Sequence, residues 1–316
     1  MTPAKTDQMS AIVDDVLSAF DDLNGPQPGY RPAHAKGILL AGRFVPSPEA
    51  SSLTRAPHIR RISTPVTVRF SDATGLPNIP DNDANASPRG MAIRFHLEEH
   101  VHTDIIGHSV DGFPVRTADE FVELLRAVRA SGPDAATPKP IERFLAAHPA
   151  ALEFVQAPKP IPASFFKESF YSVNALRFIN ADGASQYGRY RVRPEGANEY
   201  LDDATAAKRA PDFLFDDVRE RLALAPAKMR IAVQIAAAGD IVDDSTVHWP
   251  KDRREVPFGT IELTSVQADN DAAQRHIIFD PIPRVEGIEP SGDPLLDPRA
   301  NIYLMSGRRR RAGGPR

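Results

Sequence analysis

Nine short stretches of this 316-residue chain alternate apolar and polar residues with a period of two, and that alternation leaves few folds open. They are GILLAGRF, VTVRFS, MAIRFHL, TDIIGHS, SVNALRFIN, QYGRYRVRP, MRIAVQIA, GTIELTSV and HIIFD. Successive side chains of a strand point to opposite faces, so each stretch reads as a strand with one buried face. In VTVRFS, Val66, Val68 and Phe70 share one face while Thr67, Arg69 and Ser71 share the other. The turn-forming NADGAS (180–185) joins two long stretches and predicts antiparallel pairing. An antiparallel series of this length predicts a barrel, because closure removes exposed sheet edges.

Helical patterns interrupt the series at about 117–131, 138–156 and 212–224, between proline-rich connections such as APKPIPAS (157–164). Residues 8–23 place Ile12, Val13, Val16, Leu17 and Phe20 on one stripe, an amphipathic helix that ends before NGPQPGY. Residues 1–27 therefore read as an N-terminal helical arm suited to docking, and an arm of this kind admits a homodimer in which it docks on, or exchanges with, a second copy. The strand pattern runs on both sides of the helical middle without a shift in composition. The expectation is one α+β domain over residues 1–316, an antiparallel β-barrel with peripheral helices and a C-terminal helix.

A net charge of −4 and a pI near 6.2 argue against a nucleic-acid or anionic-membrane partner. The absence of cysteine excludes disulfides, thiolate metal ligands and thiol nucleophiles. The first twenty residues carry Asp14 and Asp15 inside their apolar stretch, unlike a signal peptide or a membrane span, and a cytoplasmic location is expected. There is no Gly-rich phosphate loop, GxSxG elbow or HExxH pair. HLEEHVH, with His96, His100 and His102, reads as a surface charge cluster rather than a metal site.

The remaining candidates are scattered. Arg31 stands three residues before His34 in RPAHAKG, and Arg69 and Ser71 share a face in RFSD. GHSVDGFPVRTADEF carries His108 and Phe121 through a polar bend into a helix. Arg299 and Tyr303 are spaced i,i+4, which on a helix sets guanidinium beside phenol, and Arg308 to Arg311 follow. A cation at a phenol oxygen favours phenolate, a ligand for ferric iron. Taken singly, each has a bland account: a satisfied histidine, a core face, a surface pair, a solvated tail. By themselves the residues support a β-rich domain with an anion site near the C-terminus.

Taken in order, these segments resemble the haem-containing catalase family, specifically its short catalase-related peroxidase branch. RPAHAKG, VTVRFSDATG, SPRGMAIRFH, DIIGHSVDGFPVRTADEF, LRFINADG, HWPKD, GTIEL and FDPIPRVEGIEPSGDPLLDPRANIY follow the family's order over about residues 31–311. The resemblance implies haem b, with Tyr303 as proximal iron ligand and Arg299 keeping it ionised. It implies His34 as distal acid/base, Ser71 as the hydroxyl bonded to it, and Phe121 as the ring lying against the haem. Arg31, Arg69 and one of Arg310 or Arg311 match the arginines that bind the haem propionates.

Two departures stand out. His108 occupies the position of the family's distal asparagine, and the chain lacks the long arm, wrapping segment and C-terminal extensions of full catalases. The implied activity is a haem-dependent peroxidase. It would reduce organic hydroperoxides and hydrogen peroxide with small organic electron donors, through a ferryl intermediate. Its alternatives are hydrogen peroxide dismutation, hydroperoxide isomerisation and non-enzymatic haem binding.

Overall fold

The computed structural model describes residues 3–313. Its strands are β1 (Gly37–Pro46), β2 (Thr64–Ser71), β3 (Gly90–Glu98), β4 (Val101–His108), β5 (Ile161–Pro162), β6 (Phe170–Tyr171), β7 (Leu176–Ile179), β8 (Ser185–Pro194), β9 (Tyr200–Leu201), β10 (Ala227–Ile235), β11 (Glu255–Val266) and β12 (Ile288–Pro290). The helices are α1 (Pro3–Asn24), α2 (Ala118–Arg129), α3 (Pro140–Ala147), α4 (Pro149–Gln156), α5 (Asp203–Ala206), α6 (Phe213–Leu224), α7 (Asn270–His276) and α8 (Leu296–Ala312).

Eight strands pair antiparallel in the order β10, β11, β1, β2, β3, β4, β6, β8, and β8 pairs back onto β10 to close the barrel. Strands β7 and β12 extend from β8, while β5 and β9 form a separate pair. The β7–β8 turn is the predicted one, with Asn180 N–H donating to Ala184 O and Gly183 at φ +81°, where a side chain would be strained.

Alternation sorts each strand between two environments. Val66, Val68 and Phe70 of β2 join Phe44, Phe95, Phe178 and Phe258 in the main apolar core, while Arg69 and Ser71 turn to the other face. Each phenyl ring withdrawn from water contributes on the order of 2 kcal/mol. Edge-on contacts such as Phe44–Phe95, with centroids 5.1 Å apart, add geometric specificity.

Thr117 and Glu120 form a reciprocal capping box that starts α2 and fixes where Phe121 emerges. The stripe of α1 is covered within this chain: Val13, Val16 and Leu17 pack with Val122 of α2 and Ile302 of α8. Asp15 pairs with Arg126, and Asp21 with Arg309. The expected arm (1–27) and domain (1–316) include residues 1–2 and 314–316, which lie outside the described residues.

Three expectations change. HIIFD is not a strand: α7 ends at His276, and Ile277 to Phe279 continue as irregular backbone. The single helix expected at 138–156 is two, α3 and α4, divided at His148 and Pro149. SVNALRFIN (172–180) is a strand only at Leu176–Ile179, while Phe170–Tyr171 just before it forms β6, which links β4 to β8.

Candidate active site

Between β2–β4, the loop before β1 and helices α1, α2 and α8 lies a cavity of about 230 Å³. His34, Arg31, Arg69, Ser71, His108, Phe121, Arg299, Tyr303 and Arg310 all line it. Residues from four separate stretches of sequence thus meet on one space. Arg311 is exposed and lies outside the lining.

His34 sits in the loop before β1 at φ +55°, a backbone conformation uncommon outside glycine and often held at functional sites. Its N–H donates to Ala73 O at 2.8 Å, and its ring Nδ1 lies 3.1 Å from Ser71 Oγ. Gly90, opposite Ser71 in the β2–β3 register, makes room for this contact. A Cβ there would stand 2.7 Å from His34 Nδ1 and 2.5 Å from Ser71 Oγ. Burial first, then the charges of Arg69, His108 and Arg31, push the imidazole down to about 3. The ring is therefore neutral near pH 7 and able to accept a proton.

From the helix side, Arg299 Nη2 donates to Tyr303 Oη at 3.1 Å across the predicted i,i+4 step. Arg299 Nη1 donates to Asn174 Oδ1, and Asn174 Nδ2 donates to buried Asp293 Oδ2 at 2.7 Å. The chain Asp293–Asn174–Arg299–Tyr303 fixes the guanidinium against the phenol oxygen. Asn174 and Asp293 were not singled out in the sequence. No local pattern distinguishes them, since Asn174 and Arg299 are 125 residues apart.

Arg31 and Arg310 meet at one acceptor, Ile277 O, at 3.1 and 2.8 Å. Arg69 donates to His34 O and to Gln274 Oε1, and Arg310 Nη1 to Ser306 Oγ. The misread HIIFD segment thus supplies a backbone acceptor at the cavity edge. Helical phase explains Arg310: Arg299, Tyr303, Ser306 and Arg310 lie at steps of three or four on one face of α8.

His108 ends β4, and its Nδ1 accepts from Val110 N–H at 3.3 Å. That bond selects the neutral tautomer protonated at Nε2, an atom that is buried and has no hydrogen-bond partner among the described residues. Burial and the Arg299 charge push its ring down to about 4. Phe121 stacks at a tilt on Phe113 and edge-on to Phe20 of α1. HLEEHVH forms the β3–β4 hairpin, and no metal-holding cluster occurs among the described residues.

The lining suits a large, flat, anionic, iron-bearing group. Its walls are mostly apolar, it holds four arginines and no carboxylate, and its phenol receives a guanidinium hydrogen bond. A ferric porphyrin with two carboxylates matches that donor set and charge. The pattern of the catalase family spans residues 14–315.

The chain belongs to the catalase family.

Catalase-family proteins generally bind haem, in keeping with this cavity. A catalase-related peroxidase of Mycolicibacterium paratuberculosis is 33% identical over 296 residues, covering 93% of each chain. A protein of the same description from Synechococcus elongatus is 32% identical over 307 residues, covering 95% of this chain and 89% of its own. Among solved structures, a fungal catalase matches with a TM-score of 0.79 at 22% identity over 90% of this chain. A bacterial catalase matches with 0.78 at 24% identity over 93%. This catalase-family chain spans 60% and 59% of those two structures, and at such identities they speak for the fold alone.

Proposed function

We propose that this chain is a haem b peroxidase of the cytoplasm that reduces hydrogen peroxide and organic hydroperoxides with small organic donors. The observation that carries the reading is the convergence of His34 and Tyr303 on one cavity, the first from the loop that enters β1 and the second from α8. The names of the two relatives described as catalase-related peroxidases support it. Barrel and helices share that cavity, which supports treating residues 1–316 as one domain.

In this reading Tyr303 Oη would hold the iron, Arg299 would keep its hydrogen bond to that oxygen, and Arg31, Arg69 and Arg310 would hold the propionates. Phe121 covers the macrocycle. Bound haem supplies the redox chemistry that cleaves the O–O bond. With Nδ1 engaged by Ser71, His34 offers Nε2 to the substrate. It would take the proton from one hydroperoxide oxygen and return it to the other as that oxygen departs. Two donor molecules each give one electron and one proton, so that hydroperoxide leaves as alcohol and water.

The competing reading is hydrogen peroxide dismutation, because the chain shares its family with catalases. His108 stands where the resemblance places asparagine, and its ring is a bulkier neighbour for a second peroxide. The test is to record the spectrum of the haem-loaded protein, then add hydrogen peroxide with and without a phenolic donor while following dissolved oxygen. Donor oxidation with little oxygen supports the peroxidase; rapid donor-free oxygen release makes it a catalase. A protein that takes up no haem refutes both.

A further inference from the structure

Three segments build the seat of His34, and each sends a charged side chain to the same buried place. The His34 loop carries Lys36. Ser71, which meets the ring, is followed by Asp72; Gly90, which makes room for the ring, is preceded by Arg89. Asp72 and Arg89 are fully buried and ion-paired, Arg89 Nη1 to Asp72 Oδ1. Lys36 Nζ lies 2.5 Å from Asp81 Oδ1 and 3.8 Å from Asp72 Oδ2, and reaches Asp212 at 2.7 Å. Asp81 is also fully buried, and its backbone oxygen accepts from Arg89 Nη2.

Burying four charges carries a desolvation penalty of several kcal/mol per ion, which apolar packing of equal volume avoids. Such a cluster is therefore weak evidence of stabilisation. Its contacts do fix register: Lys36, Asp72 and Arg89 lie within two residues of His34, Ser71 and Gly90, so a shift in any pair moves a wall of the histidine's seat. His34 needs such a clamp, because its backbone lies in a conformation that a histidine holds only when its surroundings impose it.

We propose that Lys36, Asp72, Asp81 and Arg89 are positioning residues that together aim the imidazole of His34 into the cavity, with the Asp72–Arg89 pair at the centre. The proposal rests on the reading of His34 as the proton-transferring group. It goes beyond that reading by giving the histidine's alignment to four residues that do not line the cavity.

The experiment uses the full-length, haem-loaded protein and its Asp72→Asn variant. Rapid mixing follows the reactions with hydrogen peroxide, with cyanide and with nitric oxide. Hydrogen cyanide must give up a proton as it binds, whereas nitric oxide binds without proton transfer. The expected result is that Asp72→Asn slows the peroxide and cyanide reactions by about 10- to 100-fold, with nitric oxide binding and the ferric spectrum unchanged. Unchanged cyanide and peroxide rates overturn the proposal.

A double variant, Asp72→Asn with Lys36→Met, removes one charge of each sign and keeps the buried cluster balanced. Recovery of melting temperature without recovery of the two rates supports positioning. Recovery of both shows that Asp72→Asn acted only through charge imbalance, and overturns it. His34→Ala runs alongside: if it leaves both rates unchanged, the proton-transfer reading fails and the proposal with it. If His34→Ala slows them and Asp72→Asn does not, the cluster alone is refuted.

Discussion

Arg299 and Tyr303 form a single unit on α8: the guanidinium donates to the phenol oxygen at 3.1 Å with Nη2 while Nη1 is engaged by Asn174 Oδ1. A guanidinium held from both ends cannot swing away from the phenol oxygen. Replacing the phenol tests its part in holding iron. Tyr303→Phe is expected to lose haem on gel filtration or to shift the Soret band, and a spectrum identical to wild type would remove Tyr303 as ligand.

The imidazole of His34 is neutral at working pH because burial and the Arg69, His108 and Arg31 charges disfavour its cationic form. Loss of a positioned proton acceptor costs roughly 10²- to 10⁴-fold in rate. His34→Ala is expected to slow the reaction with hydroperoxide by that order in stopped-flow absorbance. Gly90→Ala should act in the same direction with the ring still present, since the added methyl collides with both His34 Nδ1 and Ser71 Oγ.

The phase of α8 separates two adjacent arginines. Arg310 is 2% exposed and bonded to Ile277 O and Ser306 Oγ, while Arg311 is exposed. A charge-assisted hydrogen bond contributes about 1.5–3 kcal/mol. Arg310→Ala should therefore speed haem transfer to apomyoglobin by roughly 10- to 100-fold, and Arg311→Ala should leave it near wild type. Equal effects would show that the terminal positive charge acts as a whole.

His58 is 1% exposed, in the barrel core between Phe44, Phe95 and Phe258, and burial, then the charge of Arg61, push its ring down from 6.5 to about 3. The unfolded chain then binds a proton below pH 6.5 that the folded chain refuses until about pH 3. Stability from this group is full above pH 6.5 and falls through that window, by about 1.4 kcal/mol per pH unit at most. His34 and His108 add to this slope in urea denaturation from pH 7 to 5, and His58→Phe should lower it by up to about 1.4 kcal/mol per pH unit. A His58→Phe slope equal to wild type would assign the acid sensitivity to the cavity histidines.

Where chemistry and local geometry coincide, the sequence was readable. The two faces of β2 and the i,i+4 step of α8 follow from the periods of strand and helix, and both carry cavity residues. HIIFD misled because an apolar run satisfies a strand pattern equally well when its side chains line a cavity and its carbonyl serves two arginines. The Asn174–Asp293 and Asp72–Arg89 pairs could not be read at all. Their members are 119 and 17 residues apart, and the β7–β12 and β2–β3 pairings bring them together. The function itself came from the ordered run of family segments rather than from any single spacing.

Helix α1 contributes Val16 and Phe20 to the cavity wall, and α8, more than 270 residues later, contributes Tyr303 and Arg310. A nascent chain emerging in order would have its barrel strands and one side of the pocket long before the other side existed. The pocket is then whole only once α8 has been made, and a fragment ending before α8 should bind less porphyrin than the full chain. The most distant contacts in the chain thus set an order of events, in which the pocket exists only after its last wall has arrived.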